Sequence, residues 1–474
     1  MDEALLPEKE ERRWVETQGV FVEELKKLSK IAAPMVAVTV SQYLLQVVPV
    51  MMVGHLGELA LSSVAIGSSL SSVTGFSLLL GFASALETLC GQAYGAEQYQ
   101  KVGIYTCTAI ISLMMVCLPV CLVWIFLGKL LVFIGQDPSI SYEAGKYAIW
   151  LIPALFGYAI LQSLIRYFQT QSIILPMLLS SCTILCLHVP LCWFLVFKLE
   201  LGSTGAALAV GVSYWLNVLL LWLYMMYSSS CEKTRLQFSN EIFLNIWEFF
   251  SIGIPSAVMI CLEWWSFELL ILLSGLLPNP KLEASVLSIC LTTTALHFFI
   301  PYGFSAAVST RVSNELGAGN PQAARVAAWT VTVLGGADAI IISTILFCCR
   351  YVLGYAYSSE KEVVDYVKEM TPLLCLSVIM DSLQAVLSGV ARGSGLQHIG
   401  AYVNLGAYYL IGIPVAAVLG FALNLRGKGL WIGILTGSTV QATLFFLITS
   451  FTNWQKQSTK ARERMYEGKV LAEN

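Results

Sequence analysis

Long apolar stretches separated by short polar segments run along almost the whole chain. A helix that crosses the hydrocarbon core of a membrane needs about 20 mostly apolar residues. The stretches that meet this requirement predict twelve membrane helices, at residues 31–54, 62–92, 101–127, 142–166, 174–197, 205–228, 243–277, 284–312, 324–350, 363–393, 399–421 and 429–453. The pattern therefore predicts an all-α, polytopic membrane protein.

The composition supports this class and excludes others. Of the 474 residues, 57% are hydrophobic and 12% are charged, whereas a soluble domain carries about 25% charged residues. The sequence therefore excludes a secreted protein, a cytosolic enzyme and a nucleic-acid-binding protein. The net charge of -3 also gives no reason to expect a polyanionic partner.

The distribution of basic residues predicts the orientation. With the N-terminus inside, 18 of the 27 Lys and Arg residues fall in the tails and loops on the cytosolic side and 9 on the other side. In membrane proteins, the side that carries more Lys and Arg residues typically faces the cytosol. We therefore predict, in chain order, a cytosolic N-terminal tail, an N-lobe, a cytosolic linker, a C-lobe and a cytosolic C-terminal tail, at 1–30, 31–228, 229–242, 243–453 and 454–474.

The two halves of the chain resemble each other. Gly81, Phe82, Ala85, Thr88, Gly95 and Ala96 recur 222 residues later, and a proline and an arginine of each half recur at similar spacings, as Pro34 with Pro255 and Arg166 with Arg392. Six predicted helices per half is an even number, so both halves have the same orientation. The expected arrangement is two six-helix bundles related by a pseudo-twofold axis along the membrane normal, with a cavity between them. Two bundles around one cavity favour a transporter that works by alternating access.

Several motifs along the chain identify a family. They are residues 54–59 (GHLGEL), 87–96 (ETLCGQAYGA), 309–320 (STRVSNELGAGN), 381–384 (DSLQ) and 388–395 (SGVARGSG). With these motifs the chain resembles transporters of the multidrug and toxic compound extrusion (MATE) family, and most closely their plant detoxification branch. The resemblance covers about residues 24 to 453. It implies two six-helix lobes and export of organic solutes, often cationic, against the entry of protons.

Acidic residues inside the predicted spans are candidates for the coupling site, because a charged side chain at the bilayer centre costs about 2.5–3.5 kcal/mol. Four of the five such acids lie in the second half of the chain, and the repeat gives Glu263 and Asp381 no acidic counterpart in the first half. We therefore predict proton coupling at Glu263 and Asp381. Glu268 is a further candidate on the same helix, although five residues place it about 140° away from Glu263. Glu87 is expected to make a structural contact to a loop or an arginine, and Asp338 has no predicted role.

The family resemblance supports the same acids. Eukaryotic members carry acids that match Glu263 and Asp381, with Glu268 a further match. Prokaryotic members place an acid on the first helix, where this chain has Gln42 and Gln46. The resemblance therefore does not extend to an ion site in the N-lobe.

Aromatic and polar residues of the spans predict the substrate cavity. An aromatic face attracts a desolvated cation by about 2 kcal/mol, so aromatic walls beside a carboxylate suit flat organic cations. The predicted substrate-binding residues are Ser41, Gln42, Trp264, Trp265, Phe298, Tyr302, Asn404 and Tyr408.

The sequence therefore predicts a proton-coupled antiporter that exports organic compounds and is not an enzyme. The glycine-rich segment 315–320 lacks the lysine of a phosphate-binding loop, so neither a nucleotide nor another cofactor is expected, and the energy would come from a proton gradient. The expected partners are small organic solutes, protons and the lipid bilayer, but no nucleic acid, and the protein is expected to be a monomer in the plasma or the vacuolar membrane.

Other functions remain open. Sodium could replace protons, since carboxylates bind both ions. A flippase of related architecture for lipid-linked substrates would need basic residues in the central cavity to hold pyrophosphate, and no Lys or Arg lies in the middle of a predicted span. A membrane-embedded enzyme would need a nucleophile or metal motif, and no HExxH or GxSxG run exists. A channel is not excluded by the repeat.

Overall fold

Long apolar helices form almost all of the structure, a computed structural model that describes residues 5–236 and 239–470, with side chains described within 19–236 and 239–466. Twelve helices in this part of the chain are long and apolar enough to cross a membrane. Labelled α1 to α12 in chain order, they are Gly19–Leu56, Glu58–Gly95, Tyr99–Ile125, Pro138–Thr170, Ile174–Lys198, Gly202–Tyr227, Ile246–Ser274, Pro280–Gly317, Pro321–Cys348, Lys361–Ser394, Gln397–Ala422 and Arg426–Phe451. The described residues contain no β-strand.

These helices confirm the predicted all-α class and the number of spans. The helical backbone of the first span begins earlier than predicted, because the helix runs without a break over Leu5–Val53. Much of the predicted N-terminal tail is therefore helical, and residues 1–4 lie outside the described part. The repeat-related α2 and α8 have 38 residues each. At 1.5 Å per residue each is about 57 Å long, so both exceed the hydrocarbon core of about 30 Å.

The first helix of each half packs against the second helix of the other half. A Cβ atom at Gly81 in α2 would overlap the backbone of Ala257 in α7, and one at Gly303 in α8 would overlap Val36 in α1. Gly81 and Gly303 are 222 residues apart, and Val36 and Ala257 are 221 apart. The two close contacts are therefore equivalent under the internal repeat, as a pseudo-twofold axis between the halves requires.

The ends of α2 and α8 also cross closely. A Cβ atom at Gly95 would overlap the backbone oxygen of Asn314, and one at Gly317 would overlap the backbone oxygen of Gln92. The absence of a side chain at these two repeat-related positions is what lets the backbones approach. This crossing closes the space between the lobes on the side that the basic residues predict to be cytosolic.

The buried apolar core has a different extent at the two ends of the molecule. At the end where α2 and α8 finish, buried residues of both halves form one cluster, which includes Leu86 and Leu316. At the opposite end, the second half has a separate cluster that includes Leu270, Val286 and Trp431. The lobes therefore share a core on the predicted cytosolic side and separate toward the other side.

A further helix, α13, spans Trp454–Val470 and follows the last membrane helix. Met465 is fully buried, the hydroxyl of Ser458 donates to the backbone oxygen of Leu316 (3.2 Å), and Arg464 donates to Gln92 Oε1 (2.6 Å). The predicted C-terminal tail is therefore mostly an ordered helix that contacts both halves at the α2–α8 crossing. Residues 471–474 lie outside the described part.

Replacing Gly317 by alanine is expected to destabilise the protein by about 1–3 kcal/mol, since the new Cβ would overlap a backbone atom of a tightly packed neighbour. The midpoint of thermal unfolding of the purified protein measures this. Gly336→Ala is the matched control, because Gly336 lies inside α9 with no neighbouring atom within 4 Å. There alanine should raise the midpoint slightly, by favouring the helix. Equal midpoints for the two variants would contradict close packing at this crossing.

Candidate functional site: a buried carboxylate network beside the central cavity

Glu263 lies inside the second half of the chain and is held by amide side chains. Its side chain is carried by α7, and the residue is 8% exposed. Gln384 Nε2 of α10 donates to Glu263 Oε1 (3.0 Å) and Gln441 Nε2 of α12 donates to Oε2 (3.3 Å). Both carboxylate oxygens therefore accept a hydrogen bond from a neutral donor, and no basic residue pairs directly with Glu263 among the described ion pairs.

The predicted residues Asn404 and Tyr408 of α11 belong to the same network. Gln441 Nε2 also donates to Asn404 Oδ1 (2.8 Å), and the hydroxyl of Tyr408 donates to Gln441 Oε1 (2.7 Å). Asn404 is anchored in turn by its donation to the backbone oxygen of Met259 (2.7 Å). Tyr408 lies in a π-helical segment, Leu405–Gly412, and its large side chain is fully buried in the bundle. Four helices thus converge on Glu263.

Asp381 lies one turn before Gln384 on α10. It faces Ser438 and is near enough to Glu263 and to the hydroxyl of Tyr408 to interact electrostatically with both. Its Oδ1 atom is buried and has no hydrogen-bond partner among the described residues. The structure thus brings the two predicted coupling carboxyls into one polar cluster within the C-lobe.

Glu268 lies apart from this cluster. It is partly exposed and accepts a hydrogen bond from the hydroxyl of Ser69 in α2 (3.0 Å). It therefore faces the other lobe. Its position apart from Glu263 agrees with the predicted angle of about 140° between the two side chains. A coupling role for Glu268 stays a prediction.

A cavity of about 110 Å³ lies between the two halves. Its wall comes from α1, α2, α4, α6, α7 and α8, and four of the predicted substrate-binding residues contribute to it: Gln42, Trp264, Phe298 and Tyr302. We call it the central cavity. A smaller cavity of about 20 Å³ shares Trp264, Phe298 and Tyr302 with it and reaches Glu263, Gln384, Ser388 and Arg392. The space between the lobes therefore extends toward the carboxylate network.

The other four predicted substrate-binding residues do not line the central cavity. Ser41 is buried at 5% exposure beside it, and the indole of Trp265 donates to the backbone oxygen of Val73 (3.0 Å). Asn404 and Tyr408 serve the carboxylate network instead. Successive residues of a helix point about 100° apart, and here Ser41 and Trp265 point away from the cavity that their neighbours Gln42 and Trp264 line.

An ionic cluster closes the predicted cytosolic end of the central cavity. Glu87 of α2 is 1% exposed, and its two oxygens bind Arg166 Nη1 of α4 (3.1 Å) and Arg392 Nε of α10 (3.0 Å). Arg166 and Arg392 are partners in the internal repeat, whereas the counterpart of Glu87 is Ser309. One acid near the pseudo-twofold axis therefore joins an arginine from each lobe. The expected contact of Glu87 with an arginine is confirmed.

Comparisons with known proteins agree with this architecture. A MatE family model matches residues 34–194 and 255–418, one segment in each half. The chain belongs to the MATE family of transporters. The curated Arabidopsis thaliana protein DETOXIFICATION 14 is 62% identical over 455 residues, which cover 96% of this chain and 94% of that protein. DETOXIFICATION 8 of the same plant is 57% identical over 445 residues, 94% of this chain and 92% of that protein.

Solved structures give the same assignment. The crystal structure of the eukaryotic MATE transporter AtDTX14 matches with a TM-score of 0.91 and 62% identity, over 94% of this chain and all of that one. The Vibrio cholerae MATE transporter VcmN, at 16% identity and a TM-score of 0.79 over 94% of this chain and 99% of that one, shows the shared fold. This MATE protein is therefore a multi-pass integral membrane transporter and not an enzyme.

The structure of this MATE transporter corrects one expectation about its basic residues. The absence of Lys and Arg from the middle of the predicted spans was expected to keep basic residues out of the central cavity. Instead, Arg166 lines the central cavity and Arg392 lines the smaller one. They lie four and two residues before the ends of α4 and α10, but those ends are buried between the lobes. Proximity to a helix end therefore did not mean exposure to the cytosol.

Sequence reasoning also missed several polar residues of the site. Gln384 and Gln441 bind Glu263, and Gln46 and Gln162 line the central cavity. Gln384 and Arg392 lie inside the family motifs at 381–384 and 388–395, so the motifs could have identified them. Gln46 lies one turn after Gln42, so a search along that face of the first helix could have identified it. Asp338, without a predicted role, pairs with His297 Nε2 (2.9 Å).

Replacing Glu87 by glutamine is expected to destabilise the protein by about 3–5 kcal/mol, because it leaves two buried guanidinium groups without a counter-charge. The free energy of unfolding in detergent measures this. Glu369→Gln is the matched control, since Glu369 pairs with Lys428 at an exposed position, where the loss should stay within about 1 kcal/mol. Similar losses for both variants would show that the Glu87 cluster contributes no more than a surface ion pair.

Proposed function

We propose that this protein is a proton-coupled antiporter that exports organic compounds by alternating access between its two lobes, with Glu263 and Asp381 as the proton-coupling residues. The observation that carries the proposal is the carboxylate network of the C-lobe, which has more hydrogen-bond acceptors than donors. Asp381 Oδ1 and Gln384 Oε1 are both buried without a donor among the described residues. A proton bound to either carboxyl supplies the missing donor.

The surroundings of the pair make its charge state sensitive to the conformation of the protein. Moving a carboxylate from water into a low-dielectric interior disfavours its charged form, and a second carboxylate nearby disfavours it further. Hydrogen bonds from neutral amide donors offset only part of this cost of the charged form. A change in water access that follows a lobe movement would therefore change proton affinity, which is the requirement for coupling. The entry of each proton is worth about 2.3 kcal/mol per 100 mV of membrane potential.

One face of α10 connects the proton-binding pair to the contact between the lobes. Asp381, Gln384, Ser388 and Arg392 follow one another at spacings of three, four and four residues, so they lie on one side of the helix. Gln384 binds Glu263, and Arg392 binds both the hydroxyl of Ser388 (2.9 Å) and Glu87. Loss of the charge on Glu263 removes a negative charge that acts on Arg392. Protonation is thereby linked to the ionic cluster that joins the lobes.

A second element able to respond to protonation is α7 itself. Pro255 lies within α7, eight residues before Glu263, and a proline leaves one backbone carbonyl of its helix without a partner. We infer that a bend at Pro255 accompanies the change in the Glu263 network.

The solute is proposed to be an organic compound with an aromatic body, including flat cations, because Trp264, Phe298 and Tyr302 line the central cavity. The names of the relatives, DETOXIFICATION proteins and a MATE transporter, support the export of toxic compounds. We further propose a monomer with both termini in the cytosol, in the plasma or the vacuolar membrane, that uses a proton gradient and neither a nucleotide nor another cofactor.

A sodium-coupled form of the same antiporter is the first alternative, since the oxygens of Glu263, Asp381 and Asn404 could also bind a cation. A flippase for lipid-linked or amphipathic substrates is the second, favoured by the position of Arg166 in the cavity wall. Glu87, Gln169 and Tyr302 already bind the guanidinium of Arg166, which favours a small organic solute over a pyrophosphate.

Transport by the purified protein in liposomes tests the proposal. An imposed proton gradient should drive accumulation of a fluorescent organic solute, and Glu263→Gln and Asp381→Asn should each reduce this flux at least tenfold, since an amide cannot exchange a proton. Glu369→Gln, which removes an exposed carboxylate far from the network, should retain the wild-type flux.

Two results of the same assay would contradict the proposal. Flux driven by a sodium gradient at constant pH would show that sodium, and not the proton, is the coupling ion. Undiminished proton-driven flux by both the Glu263→Gln and the Asp381→Asn variants would exclude these carboxyls as the coupling residues.

A further inference from the structure

A long groove runs over the membrane-facing surface of the N-lobe. Its outer part has a volume of about 580 Å³ and lies between the beginning of α4 and the end of α3 with the short helix Leu127–Phe133 that follows it. Its inner part, of about 440 Å³, lies between α4 and α6. Trp150 of α4 belongs to the walls of both parts, so the two form one groove, which we call the N-lobe groove. It shares no lining residue with the central cavity within the described part of the chain.

The N-lobe groove extends from the end of the molecule opposite the α2–α8 crossing toward the middle of the membrane. α3 begins at the crossing and α4 begins at the opposite end, at Pro138, which lines the outer part. Pro153, which lines the inner part, follows 15 residues later on α4, or about 22 Å further along the helix. The hydrocarbon of one leaflet is about 15 Å thick. The groove therefore covers one leaflet from the headgroup level to the acyl chains, which is the length of a membrane lipid.

The inner part of the groove has an apolar wall. α4 contributes Trp150 and Pro153, and α6 contributes one face of aliphatic side chains together with a tryptophan: Leu208, Val212, Trp215, Leu216 and Leu219. The indole of Trp215 donates to the backbone oxygen of Pro153 (2.9 Å), so this ring has no unpaired donor. A wall of this kind suits an acyl chain.

The outer part of the groove carries two positive charges. Lys129 and Lys146 are the charged residues of its wall within the described part of the chain, and both are exposed. Each directly follows a glycine of a close backbone contact, because a Cβ atom at Gly145 would lie 2.8 Å from the Cα atom of Gly128. This contact places the two lysines at one level on adjacent helices. Lysine side chains near the end of a membrane helix extend toward the headgroups.

Two acids near the lysines have other partners. Glu143 Oε1 lies 4.0 Å from Lys146 Nζ, and its other oxygen accepts a hydrogen bond from the hydroxyl of Ser203 (3.4 Å). Asp137 accepts hydrogen bonds from two backbone amides at the start of α4. Neither acid lines the groove, and Lys129 has no acidic partner among the described ion pairs. A negative headgroup in the outer part would therefore pair with charges that the protein leaves largely unpaired.

We propose that the N-lobe groove binds an anionic phospholipid of the adjacent leaflet, with its phosphate held by Lys129 and Lys146 and one acyl chain along the apolar wall between α4 and α6. The site includes neither the central cavity nor the carboxylate network, so it is independent of the proposed function. The lipid would contact α3, α4 and α6, which all belong to one lobe. It would stabilise that lobe without crossing the contact between the lobes.

The test is photo-crosslinking of lipid to the purified full-length chain in nanodiscs of dioleoylphosphatidylcholine. The probe is a phosphatidylglycerol with a diazirine group in one acyl chain, and the comparison probe is a phosphatidylcholine with the same chains. Mass spectrometry of proteolytic peptides locates the adducts. Adducts on the segments 125–153 and 208–219 should be about fivefold more abundant with phosphatidylglycerol, because the two lysines attract a headgroup of net negative charge.

Variants separate recognition of the headgroup from contact with the acyl chain. The double variant Lys129→Gln/Lys146→Gln should reduce labelling by phosphatidylglycerol to the level of phosphatidylcholine and leave labelling by phosphatidylcholine unchanged. Lys198→Gln is the matched control, because Lys198 ends α5 at the same end of the molecule, with its Nζ 5.5 Å from the ring of Trp193, and does not line the groove. Val212→Trp, which fills the inner part, should lower labelling of 208–219 by both probes.

Equal labelling of the groove by the two probes in the wild type would overturn the proposal, since it would reveal only the ordinary lipid shell of a membrane protein. The absence of adducts on these segments would overturn it as well. So would an undiminished excess of phosphatidylglycerol in the Lys129→Gln/Lys146→Gln variant, or an equal loss in the Lys198→Gln variant. Unchanged labelling of 208–219 in the Val212→Trp variant would overturn the placement of the acyl chain.

Discussion

The burial of Glu87 between Arg166 and Arg392 is the interaction on which the arrangement of the two lobes depends. Each arginine comes from one half of the chain, and the two occupy equivalent positions in the internal repeat. A buried charge without a partner costs several kcal/mol, so neither lobe can withdraw its arginine without compensation. The close crossing of α2 and α8 at Gly95 and Gly317 keeps water away from this cluster. The charges and the packing therefore stabilise the same closed end of the molecule.

The two lobes share a skeleton but differ in their polar interiors. In the C-lobe, Glu263 and Asp381 lie within a network of amide and hydroxyl groups from α7, α10, α11 and α12. In the N-lobe wall of the central cavity, Gln42 and Gln162 bind each other, and Arg166, which also lines this wall, pairs with Glu87. The internal repeat thus gives the two halves a common frame. Within it, Glu263 matches an amide, Gln42, and Asp381 matches an apolar residue, Leu155, so the two carboxyls belong to one half alone. Arg392 belongs to both the frame and the C-lobe network, so it is the residue through which the two are connected.

The charged residue in the wall of the central cavity is an arginine and not the expected carboxylate. An aromatic cavity with a carboxylate in its wall would favour cations. The wall instead contains Arg166, while Glu263 lies at a narrow extension of the cavity. The central cavity and the proposed proton-binding pair are therefore separate positions, and one face of α10 lies between the pair and the ionic cluster at the cavity.

The sequence by itself determined the twelve helices, the duplication and the acids worth considering, because apolar length, residue spacing and the cost of a buried charge are local properties of a chain in a membrane. Only the tertiary structure decided which of two neighbouring residues faces the cavity, as for Gln42 against Ser41, and which distant side chains meet, as for Gln441 with Glu263. The arginines illustrate the limit most clearly. Arg166 and Arg392 lie near helix ends, where a sequence suggests contact with water, yet the lobes enclose those ends. Burial between two bundles depends on how the bundles pack, and no single helix carries that information.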